Sequence, residues 1–289
     1  MRPPIALILL LLTTAARADN PVPPSSDDTI ERRCQELAAA WKDRLDAEKM
    51  HCVVAPPFVI AGDGPPQTIA RYRDRTILPA MRAFDAMFFD TPPDHPILIL
   101  LFESEQPYRR LAQKWFADDD VPHFGYFRHD RVMLMNVATG TGTLVHELVH
   151  ALIEPDFPRV PRWFNEGLGS LYEQSIFTDD GIRGLENWRL PALQRAIRDN
   201  RLRSIREMIQ DHNFARGELV GLNYAHARYL LMYLQEKDLL RRYYTAFRGS
   251  AADDPHGLET LIKLIEPTEL EQFDREWREW VLTLGYASP

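Results

Sequence analysis

Thr143-Leu144-Val145-His146-Glu147-Leu148-Val149-His150-Ala151-Leu152-Ile153 carries two histidines four positions apart, with a glutamate directly after the first, in an otherwise largely apolar run. Four residues advance about 400° around a helix, so His146 and His150 project from nearly one face, one turn apart, where two imidazoles can meet a single zinc ion. Glu147 lies next to that face. It can reach a water activated by the metal without being a ligand, accept its proton and later deliver it to a leaving amine. Leu144, Val145, Leu148, Val149, Leu152 and Ile153 predict a helix buried nearly all round. Two histidines and a carboxylate would be costly there without partners, which favours a metal centre over a solvated face.

A catalytic zinc takes three protein ligands and leaves a fourth position open. Two residues compete for the third place. Glu166 lies in Pro161-Arg162-Trp163-Phe164-Asn165-Glu166-Gly167-Leu168-Gly169-Ser170-Leu171-Tyr172-Glu173, which reads as a second helix opened by Pro161. From it Glu166 would face the first helix, Gly167 and Gly169 would let the two backbones approach, and Glu173 would fall on the same face to orient a ligand histidine. Asp156 is the other candidate, six residues after His150. Metzincin-like enzymes place their third ligand at that distance after a glycine-enabled turn, but here Ile153 and Pro155 occupy the turn.

His146-Glu147-Leu148-Val149-His150 followed by Trp163-Phe164-Asn165-Glu166-Gly167-Leu168-Gly169 resembles the gluzincin metallopeptidases, and within them the bacterial peptidase-MA-like group. Gly169 stands where that group usually has Ala, a small change expected to leave ligation undisturbed. The resemblance covers residues 143–173. It implies one zinc per chain, a thermolysin-like sheet and helix pair, and hydrolysis of peptide or protein substrates. It further implies an oxyanion-stabilising Tyr or His from the helical half, for which Tyr224 and His226 are the candidates. In such an architecture the strand before the metal helix, residues 132–137, is a natural edge for an extended peptide, although an inner strand fits the sequence equally.

The surrounding sequence predicts an α+β fold: a zincin-like N-terminal half with a small mixed sheet and the active-site helix, then a mainly helical C-terminal half. Expected elements are a helix over 30–49, a strand over 53–61, a helix over 69–89, a central strand over 97–102, a helix over 108–116 and a hairpin from 125–128 and 132–137. Helices follow over 190–200, 205–212, 224–235, 239–247, 258–265 and 270–284. The expected division is a signal peptide at 1–18, a flexible leader at 19–28, a catalytic region at 29–180 and a helical region at 181–289 that completes the cleft.

Arg2, an apolar core over 5–12 and Ala16-Arg17-Ala18 suggest cleavage before Asp19 and export to the periplasm or the exterior, and the apolar run is too short to anchor the chain. A net charge of −8, without a basic run interleaved with aromatics, makes nucleic acid and anionic membranes poor partners. An oxidising compartment would permit Cys34 and Cys52 to pair, but only if the first helix stops several residues early. Endopeptidase action is weakly favoured, since no acidic motif for a free amine precedes the metal helix. Two alternatives stay open. One is a zinc hydrolase of a non-peptide amide; the other is an exported binding protein on a zincin scaffold, against which the retained Glu147 argues.

Overall fold

A computed structural model of the chain describes residues 26–287. The expected signal segment and residues 19–25 of the leader lie outside the described residues.

The first helix, α1 (Ser26–Ala47), is followed by β1 (His51–Ala55) and β2 (Phe58–Gly62). These two strands replace the single strand expected over 53–61. Pro56 and Pro57 lack the N–H a ladder needs, so the chain turns there and Ala55 pairs with Phe58. Because α1 continues unbroken to Ala47, Cys34 stays buried on it while Cys52 is exposed on β1, and both thiols are free.

The helix expected over 69–89 is a single run in three parts. These are α2 (Pro66–Tyr72), a π-helical turn over Arg73–Ile77, and α3 (Leu78–Met87). Then come β3 (Ile97–Phe102), α4 (Glu105–Phe116), β4 (Gly125–Phe127) and β5 (Val132–Asn136). The sheet order is β1-β2-β3-β5-β4; β2, β3 and β5 run parallel, and each outer strand is antiparallel to its neighbour. Both faces of the central strands are covered, which explains their uninterrupted apolar sequence. Successive residues alternate between faces. Val59, Leu98, Leu100 and Leu134 enter the core beneath α1 and α4, and Ile60, Ile99, Leu101, Met133 and Met135 enter the core shared with the later helices.

The metal-helix candidate is α5 (Gly142–Asp156), followed by α6 (Arg162–Tyr172). A hairpin, β6 (Ser175–Thr178) and β7 (Gly181–Gly184), intervenes before α7 (Leu190–Arg198), α8 (Ile205–Ile209), α9 (Val220–Glu236), α10 (Leu240–Ser250), α11 (Leu258–Ile265) and α12 (Leu270–Thr283). A mixed sheet in the first half and helices in the second make this an α+β fold. The main core runs without a break from Phe58 on β2 to Val281 on α12, so the halves share an interior across the expected boundary at 180–181, where the β6–β7 turn enters β7.

The α9 helix is enclosed on nearly every side and packs along α6. At their crossing a Cβ on Gly167 would come within 3.0 Å of the Ala227 Cβ, so Gly167 serves the α6–α9 contact and not the expected approach of α6 to α5. Among the described residues no helix is long and apolar enough to cross a membrane.

Candidate metal centre

The periodicity of α5 brings His146 and His150 together, with ring centroids 4.7 Å apart. Glu166, one turn into α6, completes the group: one ligand atom from each of the three residues lies within 4.8 Å of the others. Glu166 Oε2 is 3.3 Å from His146 Nε2 and 3.5 Å from His150 Nε2. Two ligands each about 2.1 Å from a tetrahedral ion stand about 3.4 Å apart, so these separations suit a shared metal. The His146–His150–Glu166 group can hold a metal ion.

Asp156, the rival for the third place, is turned elsewhere. Its side chain is wholly enclosed at the end of α5, where it accepts from the Asp90 and Thr91 backbone N–H groups at 2.9 and 2.8 Å. It also accepts from the Tyr244 hydroxyl at 2.5 Å and the Arg248 guanidinium at 2.6 Å. The helix runs through Pro155 to Asp156 without a turn back toward the histidines, and the carboxylate anchors α5 to the 90–91 loop and to α10.

The far side of each imidazole is also held. His146 Nδ1 lies 3.0 Å from Glu173 Oε1, as the helical spacing of Glu166 and Glu173 predicts, and His150 Nδ1 lies 2.8 Å from Asn165 Oδ1. Each acceptor holds a proton on Nδ1 and so aims Nε2 at the cluster, where its lone pair becomes available to a metal when the ring is neutral. Asn165 precedes Glu166 in the motif, but no local pattern marked it as a partner of His150. Glu173 is itself bound by Arg189, from the segment before α7, at 2.5 Å and 3.2 Å.

Burial opposes the charged forms here, and the partners decide the outcome. Burial pulls the His146 imidazole down, but the hydrogen bonds it donates to Glu166 and Glu173 and the charge of Glu147 carry it up to about 10. Burial pushes the Glu166 carboxyl up, and the two histidines more than reverse this, holding it well below the usual carboxylate range. Glu147 differs. Burial raises its carboxyl above the ordinary value against the pull of His150 and His146.

No protein-family model matches this chain, and no curated protein matches it.

The cluster opens into a cleft of about 880 Å³ whose walls include Phe124 to Phe127, Thr139 to Thr143, Trp188, Arg189 and Tyr224. Glu147 faces it too and accepts the Phe127 backbone N–H at 3.0 Å. The strand along this wall is β4. Of the two readings left open for residues 132–137, the inner strand holds: β5 lies between β3 and β4, because the 125–127 segment folds back onto its outer side. Arg128 donates to the Val132 carbonyl and Asn136 to that of Phe124, so the alternation of an antiparallel ladder turns the backbone groups of Gly125 and Phe127 away from β5, toward the cleft.

The two oxyanion candidates part company. Tyr224 lines the cleft beside Glu166 and Arg162; burial and then the Glu166 charge raise its hydroxyl far above the ordinary value, so it remains a donor. His226 is 1% exposed, stacks on Trp277 at 4.7 Å and has no hydrogen-bond partner on either ring nitrogen. Two steps along a helix turn through about 200°, so when Tyr224 points into the cleft His226 points away from it.

The three donors converge with glycine at position 169, beside the His146 ring. A Cβ there would stand 2.9 Å from His146 Cδ2 and Nε2, so the imidazole lies directly against the bare backbone of α6.

Proposed function

We propose that this protein is an exported, zinc-dependent peptidase of the gluzincin type, with His146, His150 and Glu166 as ligands and Glu147 as general base. The supporting observation is the convergence of three donors within 4.8 Å at the base of an open cleft, beside a second carboxylate, Glu147, that is not among them. Three neutral or anionic N and O donors with oriented imidazoles match the chemistry of a catalytic zinc site. When bound, zinc supplies Lewis-acid polarisation of a carbonyl and activation of water at neutral pH.

The chain's own groups carry the remaining steps. An extended peptide pairs with the outward backbone groups of β4, which brings its scissile amide across the cluster. Glu147, fixed by the Phe127 N–H and with its proton affinity raised by burial, takes the proton of the attacking water and returns it to the leaving amine. The Tyr224 hydroxyl donates to the oxygen that gains negative charge.

The test is cleavage of an unstructured protein substrate by the full mature chain with and without zinc, alongside Glu147→Gln. Zinc-dependent cleavage that disappears in a variant still holding zinc supports the peptidase reading. Cleavage that survives in Glu147→Gln contradicts the role of Glu147, and zinc binding without cleavage of any peptide points to a different amide or to a binding role.

A further inference from the structure

The ligand His146 depends on Glu173, and Glu173 is poorly held by its own helix. It is the C-cap residue just beyond α6, and its side chain must carry charge in a site where it is only 17% exposed. A long carboxylate at a helix end has several rotamers, and only one presents Oε1 to His146 Nδ1. What restricts it comes from 16 residues further along the chain. Arg189 meets both Glu173 oxygens, Nη1 to Oε2 at 2.5 Å and Nη2 to Oε1 at 3.2 Å, a two-point contact that fixes the plane of the carboxylate.

Arg189 is in turn held in place. Asn187, 1% exposed, accepts the Arg189 backbone N–H on Oδ1 at 3.0 Å, and its own N–H donates to the Tyr229 hydroxyl of α9 at 3.0 Å. The Arg189 guanidinium also lies 4.0 Å from the Trp188 ring, on the cleft wall.

We propose that Arg189 is a positioning residue of the metal centre: acting through Glu173, it sets the orientation of His146, so that the helical half of the chain contributes to metal affinity without supplying a ligand. The proposal rests on the metal-site reading above. A relay of this kind runs from α9 through Asn187 and Arg189 to Glu173 and His146. Substituting lysine at 189 keeps the charge but loses the second contact, since an ammonium cannot present two donors in one fixed plane.

The experiment is a double-mutant cycle read as zinc affinity, by chelator competition on the full mature chain, with Arg189→Ala, Glu173→Gln and both together. Arg189→Lys is added as a milder variant, and circular dichroism of each protein reports on folding. The expected result is a loss of affinity of roughly tenfold to a hundredfold for Arg189→Ala, the range typical of groups that orient metal ligands. The loss should be smaller for Arg189→Lys, and removing Arg189 should cost little once Glu173 is already Gln. Equal losses in both backgrounds would overturn the proposal, because Arg189 would then act independently of Glu173. So would an unchanged affinity in both position-189 variants. Should Arg189→Ala fail to fold, the Arg189→Lys cycle decides in the same way. Failure of the underlying reading is distinguishable, since the unaltered chain would then bind no zinc.

Discussion

Two buried histidines, His146 on α5 and His226 on α9, are 6% and 1% exposed, yet their surroundings are opposite. His146 has carboxylates at both ring nitrogens, and the two hydrogen bonds lift its proton affinity far above the ordinary value. His226 has no partner on either nitrogen and lies flat on Trp277, where burial, and then the charges of Arg278 and Arg203, hold its pKa well below 6.5. Burial alone therefore does not mark a functional histidine. Convergence of unlike polar groups on one point does, because each group there makes the others' burial tolerable.

The largest expected effect strikes the polar cluster at its base. Glu147→Gln should lower kcat by about 10³-fold while leaving zinc stoichiometry intact, as measured by peptide cleavage and metal analysis in parallel. Loss of zinc in that variant would mean that Glu147 belongs among the ligands. Next, Tyr224→Phe should lower kcat by about 10²-fold with KM nearly constant, because the hydroxyl acts on charge that develops only in the transition state. A rise in KM alone would make Tyr224 a substrate-binding residue.

A third variant sharpens the comparison through shape. Gly169→Ala places a methyl group 2.9 Å from the His146 ring, so the ring or α6 must shift. Zinc affinity should fall by about tenfold, since a displaced ligand behaves like one that has lost its orienting partner. Unchanged affinity would show that α6 yields without moving the imidazole.

The smallest functional effect belongs to the other histidine. His226→Leu should leave zinc content and cleavage unchanged but alter the acid limb of stability. The unfolded chain binds a proton at this residue near pH 6.5 and the folded chain only well below that, so acidification through this window favours the unfolded state. Denaturant titrations from pH 7 downward should show a shallower loss of stability in the variant. An identical slope would remove His226 from the acid response.

These outcomes also bear on how much the sequence revealed. Ligand spacing was legible because it follows from helix geometry alone: His146 with His150, then Glu166 with Glu173. The same geometry, applied to Tyr224 and His226, excludes their sharing a cleft, two steps being about 200° apart. The β6–β7 hairpin was not anticipated: its two-residue turn is Asp179-Asp180, and Gly181, at φ +136°, opens β7 instead of occupying the turn. Arg189 left no signal. Its function arises from a tertiary contact across 16 residues, and an arginine ahead of a helix looks like any solvated charge. The position of β4 outside β5 was hidden for a similar reason, because strand order is set by long-range pairing and not by either strand's own residues.

The most direct test of the metal centre is zinc content of the purified full mature chain compared with Glu166→Ala, after both are stripped and reloaded under identical conditions. The expected result is about one zinc per unaltered chain, as for a set of three protein ligands with an open fourth position, and essentially none retained by the variant. Equal zinc in the two proteins, or none in the unaltered chain, would contradict the assignment of His146, His150 and Glu166 as a zinc site.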